Sequence, residues 1–166
     1  GPHQIWKMTL DESEIGPYAG NGREDIVDGP LLPRRPHALG FSSFAQPSGL
    51  TSDGKNLFVA DSEGSSIRAV PFSSEALVTT VVGSADLPHS RLFTFGDQDG
   101  QREDVLLQHA LGVAYFDGRI FVADTYNNKI KRSEEHTSEL QSRPKLVGRL
   151  LLEKNNSHNH TQAHTN

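Results

Sequence analysis

The chain has 166 residues, of which 34% are hydrophobic and 22% are charged, and its formal net charge is −5 at pH 7. This length suits one domain, at about 150 residues per domain. The net negative charge argues against a nucleic-acid-binding surface, which needs a basic patch. The sequence has no run of about 18 apolar residues that would encode a membrane span. The chain has no cysteine, which excludes disulfides, thiolate zinc sites and thiol catalysis within it.

An internal repeat organises most of the chain. NLFVADSEGSSIRAV (56–70) is similar to RIFVADTYNNKIKR (119–132), with 63 positions between equivalent residues. HQIWKM (3–8) is similar to SSIRAV (65–70), with Ile5 and Ile67 62 positions apart. The sequence therefore holds about two units and, by this interpretation, is cut within a unit at both ends.

Each unit is predicted to contain four short strands. The first strand is predicted just before Asp53-Gly54, a hairpin turn signal. The second strand is LFVAD (57–61). After a polar turn come a third run around Ile67 and a fourth, LVTTVVG (77–83). Residues 1–131 show no sustained helical periodicity. Four antiparallel strands per repeat are typical of a β-propeller blade, so the fold class is all-β, a partial β-propeller of about two blades.

The repeat resembles the NHL-repeat propeller family, in which a strand ends in Ala-Asp and an Asn-rich turn and an Ile follow. The second copy fits this pattern, whereas the first has Gly64-Ser65 where Asn-rich residues are usual. Longer motifs resemble the family that joins a thioredoxin-like domain to an NHL propeller, the NHL repeat-containing protein 2 family with its bacterial members. These motifs are FAQPSGL (44–50), ADSEGSSIRAV (60–70), LFTFGDQDG (92–100) and LQHALGVAYFDGRIFVADTYNNKIK (107–131).

This resemblance covers about residues 3–131 and implies a soluble protein-interaction or scaffold module with a protein partner, no cofactor and no catalysis of its own. It also implies a thioredoxin-like domain upstream, whose thiol–disulfide role stays open. The native N-terminus is expected to be missing, and because GPHQIWKMTL (1–10) is not a signal peptide, the cytoplasm and the periplasm both remain open. The alternative is part of a metal-dependent propeller lyase or hydrolase whose ligands lie in other blades.

Five repeat residues are predicted to have structural roles. Asp61 and Asp124 follow a strand, where a carboxylate accepts hydrogen bonds from the backbone N–H groups of the following turn. Ile67 and Ile130 continue the next strand, and Asn127 lies in the turn of the second copy. A residue that recurs in each blade is better explained by architecture than by ligand binding.

Two long connections separate the repeated strands. Residues 21–44 and 85–104 are longer than usual for a propeller, and such loops are often functional or disordered. Leu92, Phe93 and Phe95 in the second connection are apolar enough that we expect them to fold back onto the sheet.

The same connection contains two candidate metal ligands. Asp97 and Asp99, followed by Gly100, resemble the start of a calcium loop, but the ligands further on do not follow EF-hand spacing. A turn is therefore the favoured interpretation, and we predict no metal site.

No catalytic constellation is found. Serines lack a G-x-S-x-G elbow, and GNG (20–22) lacks the Lys and Ser/Thr of a phosphate-binding loop. Arg34-Arg35, between prolines, form a candidate contact point, although a solvated turn explains them as well. The histidines outside the tail occur singly, at His3, His37, His89 and His109.

The C-terminal tail has a different composition. RSEEHTSELQS (132–142) matches, residue for residue, the translation of a common sequencing-library adapter, and 146–154 differs from the adapter's continuation only at Gly148. We therefore divide the chain into an NHL-repeat propeller segment, 1–131, and an adapter-derived, disordered tail, 132–166, to which no function is assigned.

Overall fold

A computed structural model describes residues 2–83, 91–134 and 146–147. In these ranges the chain is all-β, with antiparallel sheets, short 3₁₀ turns and no α-helix, which confirms the predicted fold class. Within the same ranges, no helix has the length and apolarity to cross a membrane. The strands are β1 (Ile5–Met8), β2 (Ile15–Ala19), β3 (Gly29–Pro30), β4 (Pro47–Ser52), β5 (Asn56–Asp61), β6 (Ser66–Pro71), β7 (Leu77–Val82), β8 (Gly112–Phe116), β9 (Arg119–Asp124), β10 (Lys129–Ser133) and β11 (Leu146–Val147).

The central sheet is the predicted four-stranded blade. Strands β4, β5, β6 and β7 are neighbours in chain order, each antiparallel to the next. The β4–β5 turn contains Gly54 with a φ of +85°, a left-handed conformation that glycine adopts without steric cost. An additional short strand, β3, comes from the connection 21–44 and pairs with β7 at the outer edge. The sequence did not predict this fifth strand.

The other two sheets are equivalent to parts of the same unit. The hairpin β1–β2 precedes the central sheet and corresponds to β6 and β7. Strands β8, β9 and β10 follow it, and β9 lies 63 positions after β5, as the repeat predicts. Strand β10 continues two residues beyond Lys131, to Ser133, and pairs there with β11. Apart from these strand residues and residue 134, the predicted tail lies outside the described residues.

The central blade is buried on both faces. Side chains alternate along β5, so Phe58 and Ala60 pack toward the following sheet while Val59 packs toward the hairpin β1–β2. Two apolar layers result, one on each side of the blade. The first contains Phe58, Ala60, Ile67, Ala69, Val81, Val82, Val105, Leu107, Ala110, Ile120 and Val122, and the second contains Ile5, Ala19, Leu31, Phe44, Val59, Val70 and Val78.

Adjacent blades approach most closely where β4 meets β8. A Cβ atom added to Gly49 would lie 2.6 Å from the carbonyl oxygen of Leu111. The Ser48 hydroxyl donates to that same oxygen at 3.1 Å, and the Tyr115 N–H donates to the Thr51 hydroxyl at 2.9 Å. Glycine at position 49 therefore permits the contact between the two inner strands.

Replacing Gly49 by alanine is expected to lower the free energy of unfolding by about 1–3 kcal/mol, because the added methyl group pushes the two strands apart. Urea unfolding of the variant and the parent chain measures the change. Gly16→Ala is the matched control, since Gly16 also lies in a strand and a Cβ atom there meets nothing within 4 Å. Equal midpoint shifts for the two variants would show that the close approach is not required.

Candidate functional site

Asp61 is a buried carboxylate at the end of β5. It accepts hydrogen bonds from the backbone N–H groups of Ala45 at 2.9 Å and Gln46 at 2.7 Å. These donors belong to the segment that enters β4, so the expectation of donors in the following turn was wrong. The antiparallel pairing of β4 with β5 explains the difference, because it places the end of β5 beside the start of β4.

Arg68, on β6, is fully buried and is the ion-pair partner of Asp61, at 3.3 Å. Its guanidinium also pairs with Asp28 at 3.1 Å and donates to the Ser43 carbonyl at 2.9 Å. Burial raises the pKa of Asp61, while the charge of Arg68 and the backbone donors oppose this rise. The guanidinium therefore fastens the connection 21–44 to the central blade.

The second blade repeats this arrangement with lysine. Lys131, 63 positions after Arg68, is buried and lies 3.4 Å from the carboxylate of Asp124. Its ammonium donates to the Leu106 carbonyl at 3.1 Å, and Asp124 accepts from the Gln108 N–H at 2.7 Å. The recurrence of a cation seven residues after each of these aspartates is the signal that sequence reasoning missed.

Asn127 supports the same carboxylate from the β9–β10 turn. Its side-chain amide donates to Asp124 at 2.8 Å and to the Gly96 carbonyl at 2.6 Å. The first copy has glycine at the equivalent position, Gly64, where a Cβ atom would lie 2.9 Å from the side chain of Ile26. Asn127 therefore links its turn to the connection between the blades, whereas Gly64 makes room for an apolar side chain.

The candidate metal ligands, Asp97 and Asp99, face ammonium groups. Lys131 lies 3.2 Å from Asp97 and 3.4 Å from Asp99, and Lys129 pairs with Asp97. The hydrogen bonds from Lys129 and Lys131 hold the pKa of Asp97 below its ordinary value. In the part of the chain that the structure describes, no three His, Cys, Asp or Glu side chains are placed to hold a metal ion.

One end of the blades carries the longer connections. Because the strands alternate in direction, the turns 62–65 and 125–128 lie on the same side as the segments that enter β4 and β8. Hydrogen bonds from Ser62 N–H to the Gln46 carbonyl and from Tyr126 N–H to the Gln108 carbonyl join these parts. We call this side the loop face. The opposite side, with the turns 53–55, 73–76 and 117–118, is the hairpin face.

The loop face contains an open pocket of about 420 Å³ between the two blades. This volume lies within the range of about 300–1,000 Å³ that is typical of ligand sites. Phe93 and Phe95, which were predicted to fold back onto the sheet, are 78% and 54% exposed and line this pocket instead. Its other main lining side chains are Glu24, Glu63, His109 and Tyr126.

His109 is held in place at the base of the pocket. Its ring stacks on Tyr126 with the centroids 4.5 Å apart, and its backbone N–H donates to the Ser65 hydroxyl at 3.2 Å. Its Nε2 atom lies 3.7 Å from the carboxylate of Glu63. The φ of His109 is +51°, a conformation that costs a non-glycine residue about 1–3 kcal/mol and is found more often at functional sites.

The residues that line this pocket do not include Arg34 and Arg35, the candidate contact point, or the histidines His3 and His37. His3 contacts the Ala45 carbonyl through its ring, and the His37 backbone N–H donates to the Asn21 carbonyl at 2.8 Å. Arg34 and Arg35 are exposed on the connection 21–44. His89 lies outside the described residues. Of the described histidines His3, His37 and His109, only His109 lines the pocket.

These sheets, with four antiparallel strands in the central unit and a repeat of 63 residues, define part of an NHL-type β-propeller. No family model matches the chain. The chain is homologous over about four-fifths of its length to NHL repeat-containing protein 2 and to SUPPRESSOR OF QUENCHING 1, and it carries NHL repeats. The resemblance predicted from the motifs is therefore confirmed.

The curated relatives come from a plant and from vertebrates. The chain is 39% identical over 140 residues to chloroplastic SUPPRESSOR OF QUENCHING 1 of Arabidopsis thaliana, which covers 82% of this chain and 12% of that protein. It is 38% identical over 148 residues to human NHL repeat-containing protein 2, which covers 79% of this chain and 19% of that protein. The chain thus spans less than one fifth of the length of these relatives.

Solved structures share the fold. A Bacteroides thetaiotaomicron protein of unknown function superposes with a TM-score of 0.60 at 22% identity, over 79% of this chain and 29% of that chain. An auxiliary nutrient binding protein from the same organism superposes with a TM-score of 0.57 at 22% identity, over 79% and 32%. At this level of identity the likeness shows the fold alone.

Proposed function

We propose that this NHL-repeat chain is a protein-interaction module, or scaffold, of a thioredoxin-like/NHL protein, and that its loop face binds the partner. The observation that carries this proposal is the open pocket with exposed aromatic side chains on that face. The family resemblance adds that the module accompanies a thioredoxin-like domain in the whole protein.

The blade is suited to hold such a surface in a fixed shape. Its central strands β5 and β6 are largely buried on both faces, and the buried ion pairs of Arg68 and Lys131 fasten the connections to the sheets. Binding residues are commonly carried by loops that a rigid scaffold positions. The loop face fits this pattern, because its pocket is formed by residues from both connections and both turns.

The side chains in the pocket are of the type that dominates protein–protein binding energy. Tyrosine, tryptophan and arginine are enriched among interface residues whose truncation costs most, and phenylalanine is enriched in interface cores. Phe93, Phe95 and Tyr126 are all more than half exposed, although each is large and apolar. A partner that covers them removes this surface from water, which stabilises the complex.

Selection of a random peptide library on the 166-residue chain tests the proposal. We expect hydrogen exchange with a selected peptide to protect the segments 92–96 and 107–109, but not the turns 53–55 and 117–118. Because truncating a central aromatic residue commonly costs about 2 kcal/mol, Phe93→Ser should weaken binding by about thirtyfold. Phe116→Ser is the matched control, since Phe116 is 72% exposed on the hairpin face.

Two results would contradict the proposal. The first is protection on the hairpin face with none on the loop face. The second is an equal loss of affinity in Phe93→Ser and Phe116→Ser. Thermal melting of both variants shows whether the fold is retained, which is expected because both side chains are largely exposed.

A further inference from the structure

We infer that the pocket on the loop face binds a cationic side chain, lysine or arginine, on an exposed segment of the protein partner. This inference rests on the proposed function and names the chemistry of its ligand. It is carried by the combination of two carboxylates with aromatic rings in one open pocket, at Glu24, Glu63, Phe93, Phe95 and Tyr126.

The carboxylates of the pocket differ from the five aspartates that form ion pairs with lysine or arginine of the chain. Asp61 and Asp124 are each paired with a cation of the chain itself, as are Asp28, Asp97 and Asp99. Glu63 instead lies 3.7 Å from a histidine and keeps 48% of its side chain exposed. Glu24 is also exposed. Among the side chains that the structure describes, no lysine or arginine lines the pocket. A cation from a partner can therefore pair with these carboxylates without displacing a cation of the chain itself.

The aromatic rings add a second attraction for the same ligand. A cation over the face of an aromatic ring is attracted by the ring quadrupole, and more strongly when water is excluded. Within the described ranges this contact occurs at two places, with Arg68 5.0 Å from the ring centre of Phe44 and Lys7 5.5 Å from that of Tyr18. Phe93, Phe95 and Tyr126 offer such rings at the surface, close to the two carboxylates.

The fixed geometry of the pocket and the net charge of the chain both favour binding of a cationic side chain. The stacking of His109 on Tyr126 and its bond to Ser65 fix the base of the pocket before any ligand arrives. Such preorganisation reduces the entropy that binding must overcome. The net charge of −5 attracts a basic partner at long range and raises its association rate.

The test uses eight-residue peptides that differ only at one central position, next to a phenylalanine. Lysine, arginine, norleucine or acetyl-lysine occupies that position, and calorimetry measures binding to the 166-residue chain. We expect the lysine and arginine peptides to bind about tenfold more tightly than the two neutral ones. Their affinity should fall as salt is raised, because partly exposed charges are screened.

Substitution of the pocket carboxylates tests whether they cause the tighter binding of the cationic peptides. Glu24→Gln and Glu63→Gln, made as single variants, should each weaken binding of the lysine peptide by about threefold, as expected for an exposed ion pair, and leave the norleucine peptide unchanged. Glu75→Gln is the matched control, since Glu75 is exposed on the hairpin face. It removes the same charge from the chain without touching the pocket.

The outcomes separate this inference from the proposed function. Equal binding of neutral and cationic peptides on the loop face would overturn the inference and leave the binding module intact. An equal loss in Glu75→Gln and in the pocket variants would also overturn it, because net charge alone would then explain the attraction. If no peptide from the series or from the random library protects the loop face, the proposed function fails together with the inference.

Discussion

Replacing Arg68 by methionine is expected to lower the free energy of unfolding by about 3–5 kcal/mol, since the change leaves a buried carboxylate without its ion-pair partner. Asp61 is fully buried, and Arg68 contacts it at 3.3 Å. The variant also loses the bonds to the Ser43 and Val27 carbonyls, at 2.9 and 2.8 Å. Urea unfolding followed by near-ultraviolet circular dichroism measures the loss.

Two further variants test the reason given for this loss. Arg34→Met is the control, because Arg34 is exposed, and it should change stability by no more than about 0.5 kcal/mol. The double variant Asp61→Asn with Arg68→Met should be less destabilised than Arg68→Met alone, since no charge is then buried without a partner. A double variant that is as unstable as the single one would show that the orphaned carboxylate is not the cause.

Replacing Ile67 by alanine is expected to cost about 2–5 kcal/mol, because it leaves a cavity between the blades. Ile67 is fully buried in the apolar layer that contains Val105 and Leu107. Ile130→Ala is an internal control of the same chemistry at the equivalent repeat position. Ile130 is 58% exposed, so we expect its truncation to cost less than about 1 kcal/mol.

The comparison of these two isoleucines also tests how the blades pack. Urea unfolding of both single variants gives the two losses, and the double variant should show their sum, since the sites lie in different sheets. A larger loss for Ile130→Ala than for Ile67→Ala would contradict the arrangement in which the described second sheet covers the first.

The local sequence was sufficient to predict the strands and turns of the repeat. The runs LFVAD (57–61) and IFVAD (120–124) predict strands, which the structure contains as β5 and β9, and the offset of 63 aligns them. Such predictions depend on β-branched and aromatic residues and on turn-forming residues that act over a few positions. The extra strand β3 was missed because Gly29 and Pro30 carry no strand signal, and only β7 beside them makes them a strand.

Residues at equivalent positions of the repeat have different surroundings in the structure. Ile67 and Ile130 have the same pattern in sequence, yet only the first is covered by another sheet. Phe93 and Phe95 are apolar and were expected against the sheet, but the apolar layer nearby is already filled by Val105 and Leu107. Hydrophobicity predicts a tendency to be buried, whereas the packing of neighbouring elements decides which side chains are buried.

By itself, the sequence determined that this chain is built from NHL-type four-stranded units, because strand period, turn chemistry and the repeat are all local properties. Only the tertiary structure decided which charges are buried and paired and where a ligand could bind. The pocket joins Glu24, Glu63 and Tyr126, which lie up to about one hundred residues apart in the chain and meet only where two blades pack together. Contacts between elements distant in sequence depend on the geometry of packing, which no local pattern encodes.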